Sequence, residues 1–320
     1  MTMTPISLYP LKLAPTLHSK VWGGRKLETT LGKSLPTREL YGESWELHDS
    51  CIVLNGRWRG QSLGKLLQTY GESLVGAGYD AGSGFPLLAK FIDAKDWLSI
   101  QVHPDNNQAR ELEGEPRGKS EAWLVLATES DAQLVIGIQP GTDRAQLAKS
   151  LKVGRLEALL AYADVEAGDV LYLPAGTIHA LGPGILIYEI QQASDSTYRL
   201  YDWGRPGLDG RPRELHINKG LRVANLESLP RVTRPQGDLL VDCAYFQTWR
   251  HRLNGESLSL RSAGRFQALT CIDGCVQAES AGHRRIVLNQ GETGLIPACL
   301  PAFVLRGTGT VLRACQATPP

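Results

Sequence analysis

A strand end in the first half of the chain carries a row of polar side chains. In residues 99–104, Ser99, Gln101 and His103 alternate with apolar residues. Because successive side chains of a strand point to opposite faces, the three polar groups share one face. A solvent-exposed edge strand would show the same alternation, and for a single histidine that is the simpler interpretation. A chemical role for His103 therefore depends on partners elsewhere in the chain.

Two further segments supply such partners. In residues 118–123, Lys119 and Glu121 point to one side of a predicted strand, and in residues 174–180 a Pro-Ala-Gly turn delivers His179 onto another. Imidazole and carboxylate ligands from separate strands of one barrel can converge on a divalent metal ion. Nitrogen and oxygen ligands with open positions suit catalytic zinc. We expect these groups and the histidine of the first segment to meet at one site.

The elements that must position these groups are mostly strands. The 34 glycines and 18 prolines separate short runs rich in Val, Ile, Leu, Thr and aromatic residues. Many short strands at close spacing predict a barrel or a sandwich. Helical periodicity is confined to residues 62–74, behind an N-cap at Ser62, to residues 143–160, with a break near 153–154, and to a short helix within 106–118. The polar, Pro-containing segment 228–238 is the best candidate for a linker.

An eight-residue pattern occurs twice in the chain. Residues 168–175, GDVLYLPA, align without gaps on residues 291–298, GETGLIPA. Each copy has a turn glycine, an acidic residue, a short apolar strand and a Pro-Ala turn. A chance match is the alternative explanation for the repeat, because such patterns are common in β proteins. The eight-position register nevertheless favours a duplication and two similarly built β domains.

Composition and charge narrow the classes of function. A length of 320 residues exceeds one ordinary core and favours about two domains. The 34 Lys and Arg residues balance 33 Asp and Glu, which gives no electrostatic reason to bind nucleic acid or an anionic membrane. No apolar run is long enough to cross a membrane, residues 1–12 lack a secretory signal pattern, and the six cysteines form no CxxC pair. We expect a cytoplasmic protein, either a monomer or a small homo-oligomer.

Five motifs carry a family resemblance that extends over roughly residues 7–225. The motifs are GESWE at 42–46, LSIQVHPD at 98–105, GKSEAW at 118–123, LPAGTIHA at 173–180 and YEIQQASDSTYRLYDW at 188–203. In order and spacing they resemble the type I mannose-6-phosphate isomerases, specifically the short bacterial form, which belongs to the cupin superfamily. The resemblance fades beyond Leu226, where only the degenerate repeat remains.

The resemblance implies a mainly β fold made of two cupin-like β-barrel (jelly-roll) domains with a small helical insertion in the first. Residues 1–230 would form the catalytic, metal-binding domain, with helical segments near 61–75 and 143–160. Residues 231–320 would form a degenerate cupin-like domain without metal ligands, since the repeat register places Ala302 opposite His179.

The resemblance also implies a set of metal ligands. His103, Glu121 and His179 match the ligands that hold zinc in family members, one ion per chain. Gln101 matches a glutamine that binds zinc in the longer relatives, and we expect it to be a weaker ligand or a substrate contact.

Four further positions match the catalytic and substrate-binding segments of the family. Arg199 and Glu189 match the catalytic arginine and the glutamate ten residues before it. Lys119 and Ser99 match positions that line the substrate phosphate pocket in longer relatives. The implied substrate is a small sugar phosphate.

The implied reaction interconverts mannose 6-phosphate and fructose 6-phosphate through a zinc-stabilised enediol. A proton moves between C2 and C1, which requires a base within hydrogen-bonding reach and a group that stabilises the negative oxygen. Arg199 suits charge stabilisation, but its pKa above about 12 makes it a poor base. The base stays open among Glu189, His179 and a zinc-bound water or hydroxide.

Two other classes of function are considered. A metal-dependent cupin dioxygenase would hold non-haem iron with similar ligands, but Gln101 in place of a first histidine and the cations Lys119 and Arg199 argue against it. A non-catalytic bicupin sugar-binding protein would not explain a complete ligand set together with Arg199.

Several other residues that can do chemistry are interpreted as structural. The five remaining histidines show no ligand spacing and are predicted at the surface or in turns: His18, His48, His216, His251 and His283. Residues 201–203 are interpreted as core packing with one polar group. Cys271 and Cys275 are interpreted as two thiols in a turn.

Overall fold

The structure is a computed structural model that describes residues 8–78 and 82–317. Within these ranges the chain forms twenty β-strands, six α-helices and two short 3-10 turns. The strands are β1 (Leu11–Ala14), β2 (Thr16–Gly24), β3 (Tyr41–Leu47), β4 (Ile52–Val53), β5 (Leu87–Ala94), β6 (Ile100–Val102), β7 (Glu121–Ala127), β8 (Gln133–Ile138), β9 (Leu160–Asp164), β10 (Val170–Leu173), β11 (Ala180–Leu181), β12 (Ile185–Gln192), β13 (Tyr198–Tyr201), β14 (Leu239–Asp242), β15 (Phe246–Asn254), β16 (Leu258–Arg261), β17 (Gln267–Glu279), β18 (Ile286–Asn289), β19 (Thr293–Ile296) and β20 (Ala302–Gln316). The helices are α1 (Lys26–Thr29), α2 (Leu63–Tyr70), α3 (Glu72–Val75), α4 (Asn106–Glu113), α5 (Arg144–Val153) and α6 (Ile217–Val223), and the 3-10 turns are Gly56–Trp58 and Leu156–Leu159.

The first barrel is built from β2, β3 and β5 to β13. Its large sheet has the order β10-β7-β12-β5-β2-β3, and the smaller sheets are β11-β8-β9 and β13-β6. Apolar side chains of the large sheet, such as Trp123 and Ile187, pack on Leu134 and Leu181 of the small one. Helices α5 and α6 cover the outer side of the small sheets. The result is a jelly-roll barrel whose interior lies between the sheets.

The second barrel is one nine-stranded sheet. Its path is β14-β15-β20-β17-β19-β1-β4, with β16 paired to β20 and β18 paired to β17. It has its own core, which includes Leu269, Cys271 and Val311. Strand β1 lies near the start of the chain but pairs with β19, so residues 11–14 join the second barrel across the boundary predicted at residue 230.

The large sheet of the first barrel packs against the sheet of the second barrel through a shared hydrophobic core. Strand β12 shows how the sequence achieves this. Tyr188 and Ile190 belong to the core shared with Ala268 and Leu312 of the second barrel. Glu189, between them, points to the interior of the first barrel, because neighbouring side chains of a strand face opposite ways.

The predicted elements are recovered with small changes at their ends. The mainly β, jelly-roll fold is confirmed, and so are the helices after Ser62, whose hydroxyl accepts from the Lys65 backbone N–H, and after Asp143. The break in the second helix falls at Gly154 in a left-handed conformation. The predicted linker is partly ordered, because Thr233 forms an isolated bridge with Val170.

The repeated octapeptide has the same structure in both copies. Gly168 and Gly291 both have positive φ, at +97° and +79°, before strands β10 and β19. Each of these strands then pairs antiparallel with a long strand, β10 with β7 and β19 with β17. The division into two domains remains a prediction that this correspondence favours.

In the part of the chain that the structure describes, no helix is long and apolar enough to cross a membrane.

Candidate active site

The three predicted metal ligands meet inside the first barrel. Nitrogen and oxygen atoms of His103, Glu121 and His179 lie within 4.8 Å of one another, and all three residues are buried. The Nε2 atom of His179 is 3.1 Å from Glu121 Oε1, and that of His103 is 3.6 Å from Glu121 Oε2. The first histidine follows β6, the glutamate begins β7 and the second histidine precedes β11. Each ligand therefore comes from the end of a different strand.

The backbone orients both imidazole rings toward the carboxylate. His103 Nδ1 lies 3.0 Å from the carbonyl oxygen of Ser196, and His179 Nδ1 lies 2.9 Å from that of Thr177. A proton on each Nδ1 donates to these carbonyls, which leaves each Nε2 lone pair directed into the site. Metal-binding histidines in proteins are commonly held in this way.

The protonation states suit a cation. Burial, followed by the charge of Lys119, holds the pKa of His103 well below its ordinary value, so the ring is neutral. Burial alone would raise the pKa of Glu121, but the charges of Lys119 and His179 hold it well below its usual range. Both Glu121 oxygens are buried and accept no hydrogen bond of good geometry. A neutral His103 ring and an ionised carboxylate with unsatisfied oxygens, beside the Nε2 atom of His179, fit a divalent metal ion.

The other residues expected on the first polar strand lie at the edge of this cluster. Gln101 Nε2 is 3.3 Å from His179 Nε2, and the Ser99 hydroxyl is 3.5 Å from Gln101 Oε1. Lys119 Nζ is 2.9 Å from Glu121 Oε2 and 3.3 Å from His103 Nε2. The lysine ammonium thus lies at the carboxylate of the ligand set.

Glu189 is held firmly on the interior face of β12. The indole N–H of Trp123 donates to its Oε1 over 2.9 Å, and Lys90 Nζ lies 3.1 Å from its Oε2. The glutamate is 2% exposed, so the ion pair with Lys90 lies in a poorly solvated environment. Burial opposes the charge of Lys90, but the nearby carboxylates of Glu189 and Glu43 raise the net pKa of its ammonium.

Arg199 lies on β13, directly opposite Gln101 in the antiparallel pair with β6. Its Nη1 donates to the carbonyl oxygen of Glu214 over 2.7 Å, while its Nε is buried without a hydrogen-bond partner. Burial, and then the charge of Arg213, lowers the pKa of the Arg199 guanidinium. The arginine therefore has hydrogen-bonding capacity left for a ligand.

These groups line one cleft of about 250 Å³. It includes the five predicted residues Ser99, Gln101, Lys119, Glu189 and Arg199. A wider cleft of about 460 Å³ adjoins it, because Asp195 and Thr197 line both. The cleft is large enough for a small polar molecule beside the ligand cluster.

Several residues that line the same cleft have no role in the sequence-based prediction, among them Glu43, Trp45, Lys90 and Arg213. Glu43 and Trp45 lie on one face of β3, and the Trp45 indole N–H donates to Glu43 Oε2 over 2.8 Å. Lys90 is a single lysine in the apolar run LLAKFIDA, and Arg213 lies in a loop outside the motifs. A cation in an otherwise apolar strand was a signal for Lys90, whereas no local pattern marks Arg213.

Burial opposes ionisation of Glu43, but nearby cations dominate. The charges of Lys90 and Lys20 lower the pKa of Glu43 to about 2. The carboxylate is therefore ionised throughout the neutral range and holds the two lysines on one wall of the cleft.

The surface interpretation of the five remaining histidines is wrong for His251. That residue is 5% exposed, and its ring nitrogens face Asp238 and Arg313 inside the second barrel. His48 and His216 line the wider cleft. The interpretation of residues 201–203 as core packing is incomplete, because the buried Asp202 forms ion pairs with Arg205 and Arg213.

The fold and the site define a class: a cupin-like jelly-roll protein with a buried His-Glu-His cluster beside a cation-lined cleft. Residues 10–121 match the family described as phosphomannose isomerase type I, catalytic domain. The chain is 34% identical over 309 residues to the mannose-6-phosphate isomerase of Streptococcus mutans, covering 93% of this chain and 95% of that protein. It is also 34% identical over 310 residues to the mannose-6-phosphate isomerase ManA of Bacillus subtilis, covering 93% of this chain and 96% of that protein. The chain belongs to the type I mannose-6-phosphate isomerase family.

Solved structures show the same architecture. The mannose 6-phosphate isomerase from Bacillus subtilis superposes with a TM-score of 0.86 at 31% identity, covering 96% of this chain and 99% of that one. The apo form of the enzyme from Salmonella typhimurium superposes with a TM-score of 0.75 at 17% identity, covering 98% of this chain and all of that one. The second comparison supports the fold alone.

Proposed function

We propose that this protein interconverts mannose 6-phosphate and fructose 6-phosphate. The observation that carries the proposal is the buried cluster of His103, Glu121 and His179 at a cation-lined cleft, in a chain of this family. The cluster supplies a site for a Lewis acid, and the lysines and arginines of the cleft supply the positive charge that a sugar phosphate requires.

We propose that zinc is the resident metal, bound by His103 Nε2, His179 Nε2 and a carboxylate oxygen of Glu121. Two imidazoles and one carboxylate form a donor set found in catalytic zinc sites. When bound, the ion stabilises negative charge on the substrate oxygens. Gln101 lies at the edge of the cluster as a fourth ligand or a contact to the sugar hydroxyls.

Proton transfer between C2 and C1 is assigned to Glu189. Among the open candidates for the base, His179 has its Nδ1 facing a backbone carbonyl and its Nε2 facing the Glu121 carboxylate, so neither nitrogen is free for the sugar. Glu189 lines the cleft and is oriented by the Trp123 N–H at one oxygen. Its Oε2 accepts no hydrogen bond of good geometry and lies 3.1 Å from the Lys90 ammonium.

Arg199 stabilises the charge that develops on the substrate during proton transfer. It lies beside Gln101, and its guanidinium keeps an unpartnered N–H. Lys119 and Ser99 contact the sugar, and Lys119 acts next to the ligand carboxylate. Preorganised donors of this kind act in a partly desolvated site, where they are most effective.

The test is a coupled assay for mannose 6-phosphate conversion, run beside an oxygen-consumption assay on the same metal-loaded protein. We expect sugar phosphate turnover and no oxygen uptake. Oxygen uptake with a turnover product would favour a cupin dioxygenase. Sugar binding without turnover would favour a non-catalytic bicupin, and either result would overturn the proposed function.

We also propose that the protein works in the cytoplasm as a monomer or a small homo-oligomer. The six cysteines are free thiols, and three of them, Cys51, Cys271 and Cys315, are buried. Unpaired cysteines suit a reducing compartment.

A further inference from the structure

The cations of the cleft differ in how they are neutralised. Each lysine has a carboxylate of its own: Lys20 with Glu43 at 3.4 Å, Lys90 with Glu189 at 3.1 Å and Lys119 with Glu121 at 2.9 Å. Three arginines, by contrast, surround one buried carboxylate, Asp202, beside the cleft: Arg199, Arg205 and Arg213. Asp96 and Glu214, which are also near these arginines, have largely exposed side chains, and Asp195, which lines the cleft, is exposed as well. Positive charge therefore exceeds buried negative charge at the arginine end.

Arg213 reaches the cleft from a loop that folds back on itself. Trp203 begins this loop, and its indole N–H donates to the carbonyl oxygen of Leu98 over 2.8 Å. Pro206 and Pro212 then face each other in an isolated bridge. The Arg213 Nε donates to Asp202 Oδ2 over 2.7 Å, and its Nη2 also bonds the same carboxylate. The guanidinium is thus fixed in orientation and still lines the cleft.

Arg199 lies next to this fixed guanidinium. Its Nη1 donates to the carbonyl oxygen of Glu214, the residue that follows Arg213. Both guanidinium side chains line the same cleft, and the positive charge of Arg213 lowers the pKa of Arg199. Arg199 and Arg213 share the single buried carboxylate of Asp202, and two guanidinium groups beside one carboxylate favour a bound anion, because a dianion relieves their remaining repulsion.

Lys119 is poorly placed for the same task. Its ammonium lies against the Glu121 carboxylate and within 3.3 Å of His103 Nε2. A phosphate held there would face the negative carboxylate of the ligand set. The phosphate role that the family resemblance suggested for Lys119 is therefore better assigned elsewhere.

We propose that Arg213, oriented by Asp202, binds the phosphate group of the substrate beside Arg199. The inference rests on the proposed function only in naming the phosphate as part of a sugar phosphate. Lys119 then contacts the sugar at the end where the proton is transferred. Binding of the phosphate acts equally in the ground state and in the transition state, so its loss falls on KM.

The experiment compares metal-loaded wild-type protein with Arg213→Gln, Arg213→Lys, Lys119→Ala and a matched control, Arg205→Gln. Arg205 bonds the same Asp202 carboxylate but does not line the cleft. Calorimetric titration with inorganic phosphate measures anion binding without any turnover, and the isomerase assay gives KM and kcat. A phosphate result therefore stands even if the wild-type protein does not convert mannose 6-phosphate, in which case only the proposed function fails.

We expect Arg213→Gln to weaken phosphate binding and to raise KM at least about 10-fold with little change in kcat. Arg213→Lys should recover part of the loss, because it keeps the charge without the planar fork. Arg205→Gln and Lys119→Ala should leave phosphate affinity within about 3-fold of wild type. Equal losses in Arg205→Gln and Arg213→Gln, or a loss confined to Lys119→Ala, would overturn the assignment.

Discussion

The two barrels place different chemistry at equivalent strand positions. In the first barrel, Leu173 of the repeated motif pairs with Glu121; in the second, the corresponding Ile296 pairs with Gln267. Two residues further along β7 and β17, Trp123 pairs with Glu189, whereas Leu269 pairs with Arg313. Glu121 in the first barrel thus corresponds to Gln267 in the second, and Glu189 corresponds to Arg313.

The residues of the second barrel satisfy one another. Arg313 donates to Gln267 Oε1 over 3.1 Å and to His251 Nε2 over 3.2 Å, and the other ring nitrogen of His251 faces Asp238. The guanidinium also stacks on Trp249, with its carbon 3.7 Å from the ring centroid. In the first barrel both Glu121 oxygens lack a good hydrogen bond. The same arrangement of strands therefore holds hydrogen-bonded polar side chains in the second barrel and carboxylate oxygens without hydrogen bonds in the first.

The largest expected effect comes from giving the first barrel the side chain of the second. Glu121→Gln keeps the shape but removes the charged ligand, so bound metal should be lost and kcat should fall on the order of 10³-fold or more. His103→Ala and His179→Ala should behave alike, since three protein ligands leave no redundancy. Metal content and turnover are measured on the same samples.

The reciprocal change is the matched control. Gln267→Glu places a carboxylate in the second barrel, but Arg313 lies beside it, and His251 Nε2 already accepts from that arginine. We expect no additional metal and unchanged turnover. A second bound ion in Gln267→Glu would show that this one residue alone prevents metal binding in the second barrel, which would contradict the expected outcome.

The next effect separates catalysis from stability in two arginines. Arg199→Ala should lower kcat by about 10²- to 10³-fold with little change in the unfolding free energy. Arg313→Ala should leave kcat unchanged but cost about 1 to 3 kcal/mol of stability, because it strands Gln267 Oε1 and His251 Nε2. Steady-state kinetics and denaturant unfolding of both variants test these two roles. A loss of kcat in Arg313→Ala would contradict a purely structural role for Arg313.

A smaller effect is expected at Lys119. Lys119→Ala removes a contact that acts in the ground state and the transition state alike, so KM should rise by about 10-fold while kcat changes less. If Arg199→Ala left kcat unchanged and Lys119→Ala abolished it, the roles assigned to the two residues would be exchanged.

The smallest effect concerns acid stability. The folded-state pKa of Glu43 is about 2, below its ordinary value of 4.5, so its ionised form stabilises the fold above pH 4.5 and that contribution is lost as the pH falls toward 2. The contribution is about 3 kcal/mol. Unfolding free energy measured against pH should fall less steeply between pH 4.5 and 2 in Glu43→Gln than in wild type. Parallel slopes would contradict this account of the Lys20–Glu43–Lys90 wall.

The features of the two barrels that follow from a local sequence pattern could be predicted from the sequence. The strand alternation around His103 and Glu121, the turn before His179 and the octapeptide at Gly168 and Gly291 all have a regular spacing. The pairing of β1 with β19 joins segments that are far apart in the chain, and the position of Arg213 depends on a folded loop. Contacts between residues that are far apart in the chain produce no periodic pattern in the sequence. The burial of His251 depends on contacts of this kind.

We propose that the first barrel binds the metal ion and that the second provides only the scaffold. Quantitative metal analysis of purified wild-type protein and of His179→Ala tests this division. We expect close to one zinc ion per chain in the wild type and close to none in the variant. Two ions per wild-type chain, with one retained in His179→Ala, would contradict it and place a second site outside the His103, Glu121 and His179 cluster.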